Sequence, residues 1–434
     1  PKTLYPYLRG QILITYMRVL IKNAVIVAPG LPVHGKNSDI FIEDGIIAKI
    51  AESIDLAADK VISENNLHIS VGWMDCFADF GEPGGEHRET MANGLNASAA
   101  GGFTSVMLVP NTDPVTDNKS QVEYLIQKST QSAVDVFPVA AVTKGIKGKE
   151  LNEMYELFTT GALAFSDGYQ SIQTSGILQK ALQYVLPFNG TIIQLPNDET
   201  IGKHGLINEG IYSTRLGLAG KPALSEELMV ARDIELLRYT QSALHFTGIS
   251  TRKSLELIIA AKKDDLRVSC SVTPYHLYFI DEDIKDYDTN LKVNPPLRTE
   301  DDRQALRDGL INGNIDFIAS HHQPWDWDHK VCEFDKASFG MEGLESVFGV
   351  AGSCGIPAES FIKMQTENIR KVFNLPNLSF NEGQKANLTL FAPDQEFTFE
   401  ESNIFSKSRN NAFIGKKLKG KVFGIINKDR LFLN

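Results

Sequence analysis

The chain has 434 residues, of which 42% are hydrophobic and 22% charged, and it carries a formal net charge of −11 at pH 7. These fractions are typical of an ordinary globular protein and exclude a collagen-like or disordered chain. The negative charge argues against a general nucleic-acid or anionic-membrane binder, because such partners require a positively charged surface. No apolar run approaches the roughly eighteen residues that a membrane-spanning helix needs. The length suggests one large domain with a smaller companion.

Four cysteines are scattered along the sequence without a CxxC pair: Cys76, Cys270, Cys332 and Cys354. This spacing indicates neither a disulfide framework nor a zinc finger. We therefore predict reduced thiols in a cytoplasmic protein.

Both ends of the chain are rich in strand-like segments. Residues 1–16 are interpreted as an extension, and the segments "MRVLIKNAVIV" and "DIFIEDGIIAKI" follow it, the second with an Asp44-Gly45 pair that favours a hairpin. The far end has the matching strands "ANLTLFAP", "EFTFEE" and "GKVFGIINKDRLFLN". Each end is too small to bury a core alone, so we predict that residues 17–68 and 374–434 pair into one small β-domain.

Between these ends, strand-like and helix-like segments alternate eight times over residues 69–373. The strands are expected to end near "WMDCFADF", "FTSVMLVPN", "VDVFPVAAV", "ALAFSDG", "TIIQLPND", "ALHFTGIS", "VSCSVTP" and "IDFIASHHQP". Eight consecutive β-then-α units predict an α/β protein of the (β/α)8 TIM-barrel type. In such barrels the functional residues lie at the carboxyl ends of the strands and in the loops that follow.

Several blocks of the sequence resemble one enzyme family in the same order. The block "GEPGGEHRETMANGLNASAAGGFTSVMLVPNTDPVTD" is followed by "SVTPYHLYFID", "LKVNPPLR", "FGMEGLESVFG" and "FIGKKLKGKV". Together they resemble the dihydroorotases of the type associated with aspartate transcarbamoylase, which belong to the amidohydrolase superfamily. The resemblance implies an amidohydrolase barrel and a role in pyrimidine biosynthesis. It also implies a zinc centre whose hydroxide opens the cyclic amide of dihydroorotate, or closes it in reverse.

The residues that the resemblance assigns to zinc and substrate are mostly replaced in this chain. The family motif Asp-x-His-x-His-x-Arg after the first barrel strand retains Asp75 but no histidine or arginine, and the bridging carboxylate after the fourth strand survives as Asp167. The other family positions hold Phe77, Asp79, Gly81, Leu195, Gly248 and His321. Because Phe, Leu and Gly side chains offer no ligand atom, we expect no metal at these positions and no cofactor.

Some candidate site residues remain open to two interpretations. Asp79, Asp167 and His321 form an altered metal site in one, whereas in the other His321 fills the vacated centre through hydrogen bonds to one of those carboxylates. Asn111 and Asn294 match family positions near the substrate and are either remnants of a binding pocket or turn caps beside proline. Three further histidines are predicted to be a core residue, His245, and exposed loop residues, His87 and His204.

The leading hypothesis is a dihydroorotase-like pseudoenzyme, without catalytic activity, that acts as a structural partner of aspartate transcarbamoylase. A homo-oligomer is a further expectation, whereas nucleic acid and membrane are not expected partners. One alternative is an active cyclic amidohydrolase, of the dihydroorotase, hydantoinase or allantoinase kind, that works through Asp167 and His321 in an altered site. Another is a small-molecule binding protein that uses the old pocket.

Overall fold

The computed structural model describes residues 18–434, so the predicted extension at residues 1–16 lies outside the described residues. Two eight-stranded sheets organise the described chain. One is built from both chain ends and the other is a parallel barrel. The class predicted from the sequence, a TIM-type barrel with an added β-domain, is confirmed.

The sheet of the chain ends begins with five strands: β1 (Arg18–Val27), β2 (Asn37–Glu43), β3 (Ile46–Ala51), β4 (Lys60–Ile62) and β5 (His68–Val71). A two-residue turn joins β2 to β3, and both of its residues, Asp44 and Gly45, have positive φ, as the predicted hairpin requires. A Cβ at Gly45 would collide with the carbonyl oxygen of Lys428, so only glycine fits where the turns from opposite chain ends meet.

Ten further strands follow in the middle of the chain: β6 (Trp73–Ala78), β7 (Phe103–Leu108), β8 (Asp135–Ala140), β9 (Ala164–Phe165), β10 (Ile192–Gln194), β11 (Ile207–Asn208), β12 (Gly220–Lys221), β13 (Leu244–Phe246), β14 (Val268–Val272) and β15 (Phe317–Ile318). Eight of them form the barrel in the order β6-β7-β8-β9-β10-β13-β14-β15, all neighbours being parallel. Strands β11 and β12 pair in a small excursion before the sixth barrel strand.

Three strands at the carboxyl end complete the first sheet: β16 (Asn387–Thr398), β17 (Lys417–Asn427) and β18 (Arg430–Leu433). Strand β16 pairs antiparallel with β5, and Leu388 lies opposite Val71. The predicted pairing of strands from both chain ends is therefore present in the structure.

In the part of the chain that the structure describes, thirteen α-helices connect and cover the strands: α1 (Met91–Ala100), α2 (Lys119–Lys128), α3 (Met154–Thr160), α4 (Ser175–Val185), α5 (Ile211–Leu216), α6 (Leu224–Thr240), α7 (Arg252–Lys263), α8 (Pro274–Tyr278), α9 (Glu300–Ile311), α10 (Trp327–Lys330), α11 (Val347–Ser353), α12 (Ala358–Lys363) and α13 (Ile369–Val372). Side chains of Thr90, Asn118, Thr251 and Thr299 accept a backbone N–H and so fix the first turns of α1, α2, α7 and α9. Within residues 18–434 we find no helix with the length and apolar character that crossing a bilayer requires.

The barrel and the end sheet pack on each other through a buried aromatic cluster. The indole of Trp73, at the start of the first barrel strand, lies 5.4 Å from the ring of Phe391 on β16 and 4.9 Å from that of Phe348 on α11. Aromatic pairs at such distances add roughly 0.5–1.5 kcal/mol beyond the area they bury. This contact holds the amino ends of the barrel strands against the sheet, which leaves the carboxyl ends free to form a mouth.

Candidate active site at the barrel mouth

Phe77 occupies the centre of the barrel mouth at the end of β6. Its side chain is fully buried, and its ring lies 4.6 Å from the imidazole of His321 and 5.4 Å from the ring of Tyr169. Both Phe77 and His321 have positive φ, at 71° and 46°, a conformation that is strained for side chains of this size. Such strain is concentrated at functional sites, so the backbone here keeps the form of a working site while an aromatic ring fills it.

The ring of His321 occupies the space that a side chain at position 248 would need, which is open because residue 248 is glycine. A Cβ at Gly248 would lie 2.5 Å from Cε1 of the His321 ring, so the two positions cannot both carry a side chain in this arrangement. The missing side chain after β13 is thus compensated by an imidazole that enters from the loop after β15.

A chain of hydrogen bonds fixes the tautomer of His321. The Ser271 hydroxyl donates to Thr247 Oγ1 at 3.1 Å, which leaves the Thr247 hydroxyl to donate to His321 Nε2 at 2.7 Å. The remaining ring proton then lies on Nδ1, which is buried without a partner. Burial lowers the pKa of His321 to about 3, so the imidazole is neutral.

The two candidate carboxylates have partners other than His321. Asp167 accepts hydrogen bonds from the Thr143 backbone at 2.9 Å and from its hydroxyl at 2.5 Å, and burial raises the pKa of Asp167 to about 6. Asp79 is buried, forms an ion pair with Arg88 at 2.9 Å and accepts a hydrogen bond from the backbone N–H of Gly81 at 2.8 Å. The hydrogen bonds predicted from His321 to these carboxylates are therefore replaced by its bond to Thr247.

Asp75 also has a structural partner at the mouth. Its carboxylate accepts from the backbone N–H of Ser320 at 2.8 Å and from the Ser320 hydroxyl at 2.6 Å. Burial raises the pKa of Asp75 to about 7. These bonds tie the end of the first barrel strand to the end of the last.

The residues at the mouth do not fit the zinc centre that the resemblance implies. Phe77, Leu195 and Gly248 provide no ligand atom, and Thr247 holds the Nε2 atom of His321. Asp79 and Asp167 do not join His321 in any group of converging ligand atoms among residues 18–434. The predicted altered site of Asp79, Asp167 and His321 is therefore wrong as a metal centre.

The two asparagines predicted near the substrate form hydrogen bonds with other residues of the same chain. Asn111 donates to Gln170 at 2.6 Å and accepts from the backbone N–H of Tyr169 at 3.2 Å. Asn294 accepts from Lys221 Nζ at 2.8 Å, and burial lowers the pKa of that lysine to about 8. A binding role for either asparagine stays a prediction.

The three further histidines, His245, His87 and His204, lie where the sequence predicted them. His245 is buried on β13, stacks on Phe317 at 4.8 Å and bonds the hydroxyls of Ser269 and Ser271, as a core residue does. His87 and His204 are exposed.

A second buried cluster, beside the mouth, was missed by the sequence analysis. His322 Nε2 lies 3.7 Å from Glu89 Oε2, and the ligand atoms of His322, Glu342 and Glu345 all lie within 4.8 Å of one another. Burial, followed by the neighbouring Glu345, raises the pKa of Glu342 well above its ordinary value. The spacing of two glutamates in "FGMEGLE" was the available signal, but the partners come from distant segments.

The position of the ring proton on His322 determines whether this cluster is suited to a metal ion or to a proton. The backbone N–H of Gly343 donates to His322 Nδ1 at 3.2 Å, so the proton of the neutral ring lies on Nε2 and points to the carboxylates. A metal at Nε2 would have to displace this proton, and Nδ1 cannot take it up without losing its bond from Gly343. The cluster is thus suited to a proton that Glu342 shares with Glu345.

A barrel of this form, with a second sheet built from the chain ends, is a TIM-type barrel with an added β-domain, a fold also found in solved hydantoinase structures. L-Hydantoinase from Arthrobacter aurescens shares it at a TM-score of 0.83, with 20% sequence identity and 96% of each chain covered. A family model described as dihydro-orotase-like matches residues 68–254. Dihydroorotases from Pelotomaculum thermopropionicum and Acetivibrio thermocellus are 39% and 38% identical, covering 96% and 93% of this chain and 99% and 96% of their own lengths. The chain belongs to the dihydroorotase family.

The expectation that the protein uses no metal is wrong. Its family is a metal-dependent class of amidohydrolase, and residues 18–434 contain two groups whose ligand atoms converge within 4.8 Å. One is the buried group of His322, and the other consists of His87, Asp326 and His329. The sequence analysis missed both because it considered only the positions that the family uses.

Proposed function

We propose that this dihydroorotase homologue does not hydrolyse dihydroorotate at its barrel centre and acts as a structural partner of aspartate transcarbamoylase. One observation carries the first half. The ring of Phe77 and the imidazole of His321 pack against each other, 4.6 Å apart, at two positions to which the resemblance assigns metal-site residues. Water that must be deprotonated near neutral pH needs a metal ion beside it.

The mouth also lacks a residue that the family uses to bind its substrate. The family arginine that pairs with the substrate carboxylate is replaced by Gly81. Removing one partner of a buried charge pair costs about 2–5 kcal/mol of binding. The arginine nearest in sequence, Arg88, is already paired with Asp79 and cannot serve the substrate at the same time.

The partner role rests on the resemblance to the transcarbamoylase-associated type and on a match that covers 99% of the dihydroorotase of Pelotomaculum thermopropionicum. A barrel without hydrolytic chemistry retains its outer surface as its means of action. The proposal assigns that surface to aspartate transcarbamoylase.

The test of inactivity is an assay of dihydroorotate hydrolysis and of carbamoyl aspartate cyclisation, with added zinc. The dihydroorotase of Pelotomaculum thermopropionicum serves as the positive control. We expect no turnover above the protein-free background. Turnover that disappears in Asp167→Ala would overturn the proposal.

The test of the partner role is gel filtration of the protein mixed with aspartate transcarbamoylase from the same organism. A stoichiometric complex supports the role. Separate elution at micromolar concentrations of both proteins contradicts it.

A second candidate is an active cyclic amidohydrolase with altered chemistry. It is favoured by the neutral imidazole of His321 with its unpartnered Nδ1–H, and by Asp167, whose pKa of about 6 suits acid–base catalysis. Hydantoins, allantoin and dihydropyrimidines are the substrates to screen. Turnover of any of them that is lost in His321→Ala would establish this function instead.

A further inference from the structure

Three metal-binding side chains meet outside the barrel centre, on the loops that border the mouth. His87 belongs to the loop after β6, whereas Asp326 is the N-cap and His329 lies in the last turn of α10, the short helix within the segment after β15. Asp326 caps α10 by accepting from the backbone N–H of His329. The exposed fractions of the His87 and His329 side chains are 57% and 45%, so an ion in solution can reach both.

The geometry of these three side chains is close to that of a metal site. One carboxylate oxygen of Asp326 lies 3.8 Å from Nε2 of His87, and the other contacts Nδ1 of His329. All three ligand atoms lie within 4.8 Å of one another. Ligand atoms of tetrahedral zinc, with bonds of about 2.0–2.1 Å, lie about 3.3 Å apart. Exposed side chains can make up the difference by small rotations.

The backbone that carries these ligands is held in place by neighbouring contacts. Arg88, next to His87, bonds the buried Asp79 and places its guanidinium 4.9 Å from the Trp325 ring. Trp325, next to Asp326, lies 5.1 Å from the His329 ring and donates its indole N–H to the carbonyl of Phe339 at 2.7 Å. A rigid support lowers the entropy that is lost when ligands converge on an ion.

The ring of His87 makes no hydrogen bond among the described residues. Nδ1 of His329, which donates to Asp326, becomes available to an ion when its proton moves to Nε2, a nitrogen without a hydrogen-bond partner in the same part of the chain. Two imidazoles and a carboxylate are a ligand set that zinc, cobalt and nickel accept.

We propose that His87, Asp326 and His329 bind one divalent transition-metal ion, with water completing its coordination. The ion joins the loop after β6 to the loop after β15 and stabilises the rim of the mouth. It takes no part in hydrolysis at the barrel centre. The inference is therefore independent of the proposed function.

The test is a titration of untagged, chelator-treated protein with Co²⁺, read by visible absorption, and with Zn²⁺, read by calorimetry. We expect one molar equivalent to bind with micromolar affinity. His87→Ala and His329→Ala should each weaken binding by more than about 10-fold, the smaller loss known for changes around metal sites. The matched control is His204→Ala, which removes an exposed histidine elsewhere and should leave binding unchanged.

Two results would overturn the proposal. One is the absence of stoichiometric binding to the intact protein. The other is binding that survives both histidine substitutions but is lost in Glu342→Gln, which would place the ion in the buried group instead. Circular dichroism of each variant verifies that these changes leave the fold intact.

Discussion

The imidazole of His321 lies against the ring of Phe77 with centroids 4.6 Å apart, and both residues differ from those that the family has at these positions. Phe77 brings an apolar ring where the family has a ligand, and His321 brings an imidazole where the family has a carboxylate. The pair is buried, which is the state of a packed core rather than of an open reaction centre, although the backbone retains the strain of a functional site.

Phe77→Ala should destabilise the protein by about 3–5 kcal/mol, the range for removing a buried aromatic ring. The loss arises because the ring's contacts with His321 and Tyr169 are replaced by a cavity. Urea denaturation measures it. Phe158→Ala, at a position that is 38% exposed, is the control and should cost much less. A loss below about 1 kcal/mol for Phe77→Ala, which is typical of a surface change, would show that the Phe77 ring is not packed against His321 and Tyr169.

Gly248→Ala should destabilise by about 1–3 kcal/mol, because its new Cβ would press on the His321 ring. The positive φ of 64° at this position adds to the cost. In a His321→Ala background the clash is absent, so the same change should cost less. A double-mutant cycle measures the coupling, expected at about 0.5–3 kcal/mol. Additive effects would refute direct contact.

Arg88→Met should destabilise by about 3–5 kcal/mol, because it leaves the buried Asp79 carboxylate without its partner. Changing Asp79→Asn in the same protein should recover part of this loss. The exposed ion pair of Arg18 and Asp59 provides the matched control, and Arg18→Met should cost at most about 1 kcal/mol. Equal losses from the two arginine variants would contradict the burial of the Asp79 pair.

Glu342→Gln should make stability less dependent on pH. The folded state raises the pKa of Glu342 and so retains a proton that the unfolded chain loses near pH 4.5. Stability therefore falls as pH rises from about 4.5 through the folded pKa, because the folded state binds more protons than the unfolded one. Glutamine imitates the protonated acid, so the variant should be the more stable protein above this range.

Unfolding free energies measured from about pH 4 to about pH 9, which covers this window, test the prediction. Glu64→Gln is the control, since that side chain is exposed. If Glu342→Gln is less stable than the parent at high pH, the carboxylate is ionised and held by a cation.

Much of the architecture could be predicted because local patterns determine it. The Asp44-Gly45 turn follows from the conformations those residues allow, and the repeated βα units leave few topologies open. Substituted ligands could also be recognised, because Phe77, Leu195 and Gly248 lack ligand atoms whatever their surroundings.

The partners of the polar residues could not be predicted in the same way. Several hydrogen-bonding partners for His321 were expected at the mouth, and its bond to Thr247 depends on how β13 and β14 align. The group of His87, Asp326 and His329 depends on two loops that meet only after the barrel forms. Hydrogen-bond choices of this kind follow from tertiary packing, which residue type alone does not specify.

The pairing of β5 with β16 has a consequence for how the chain is made. Val71 and Leu388 are neighbours in the sheet although most of the sequence separates them. During synthesis, the first five strands leave the ribosome with one edge exposed until the last strands follow. An unpaired edge of this kind is prone to aggregation. The nascent protein is therefore most prone to aggregation after the barrel has been translated and before strands β16 to β18, within residues 387–434, have emerged from the ribosome.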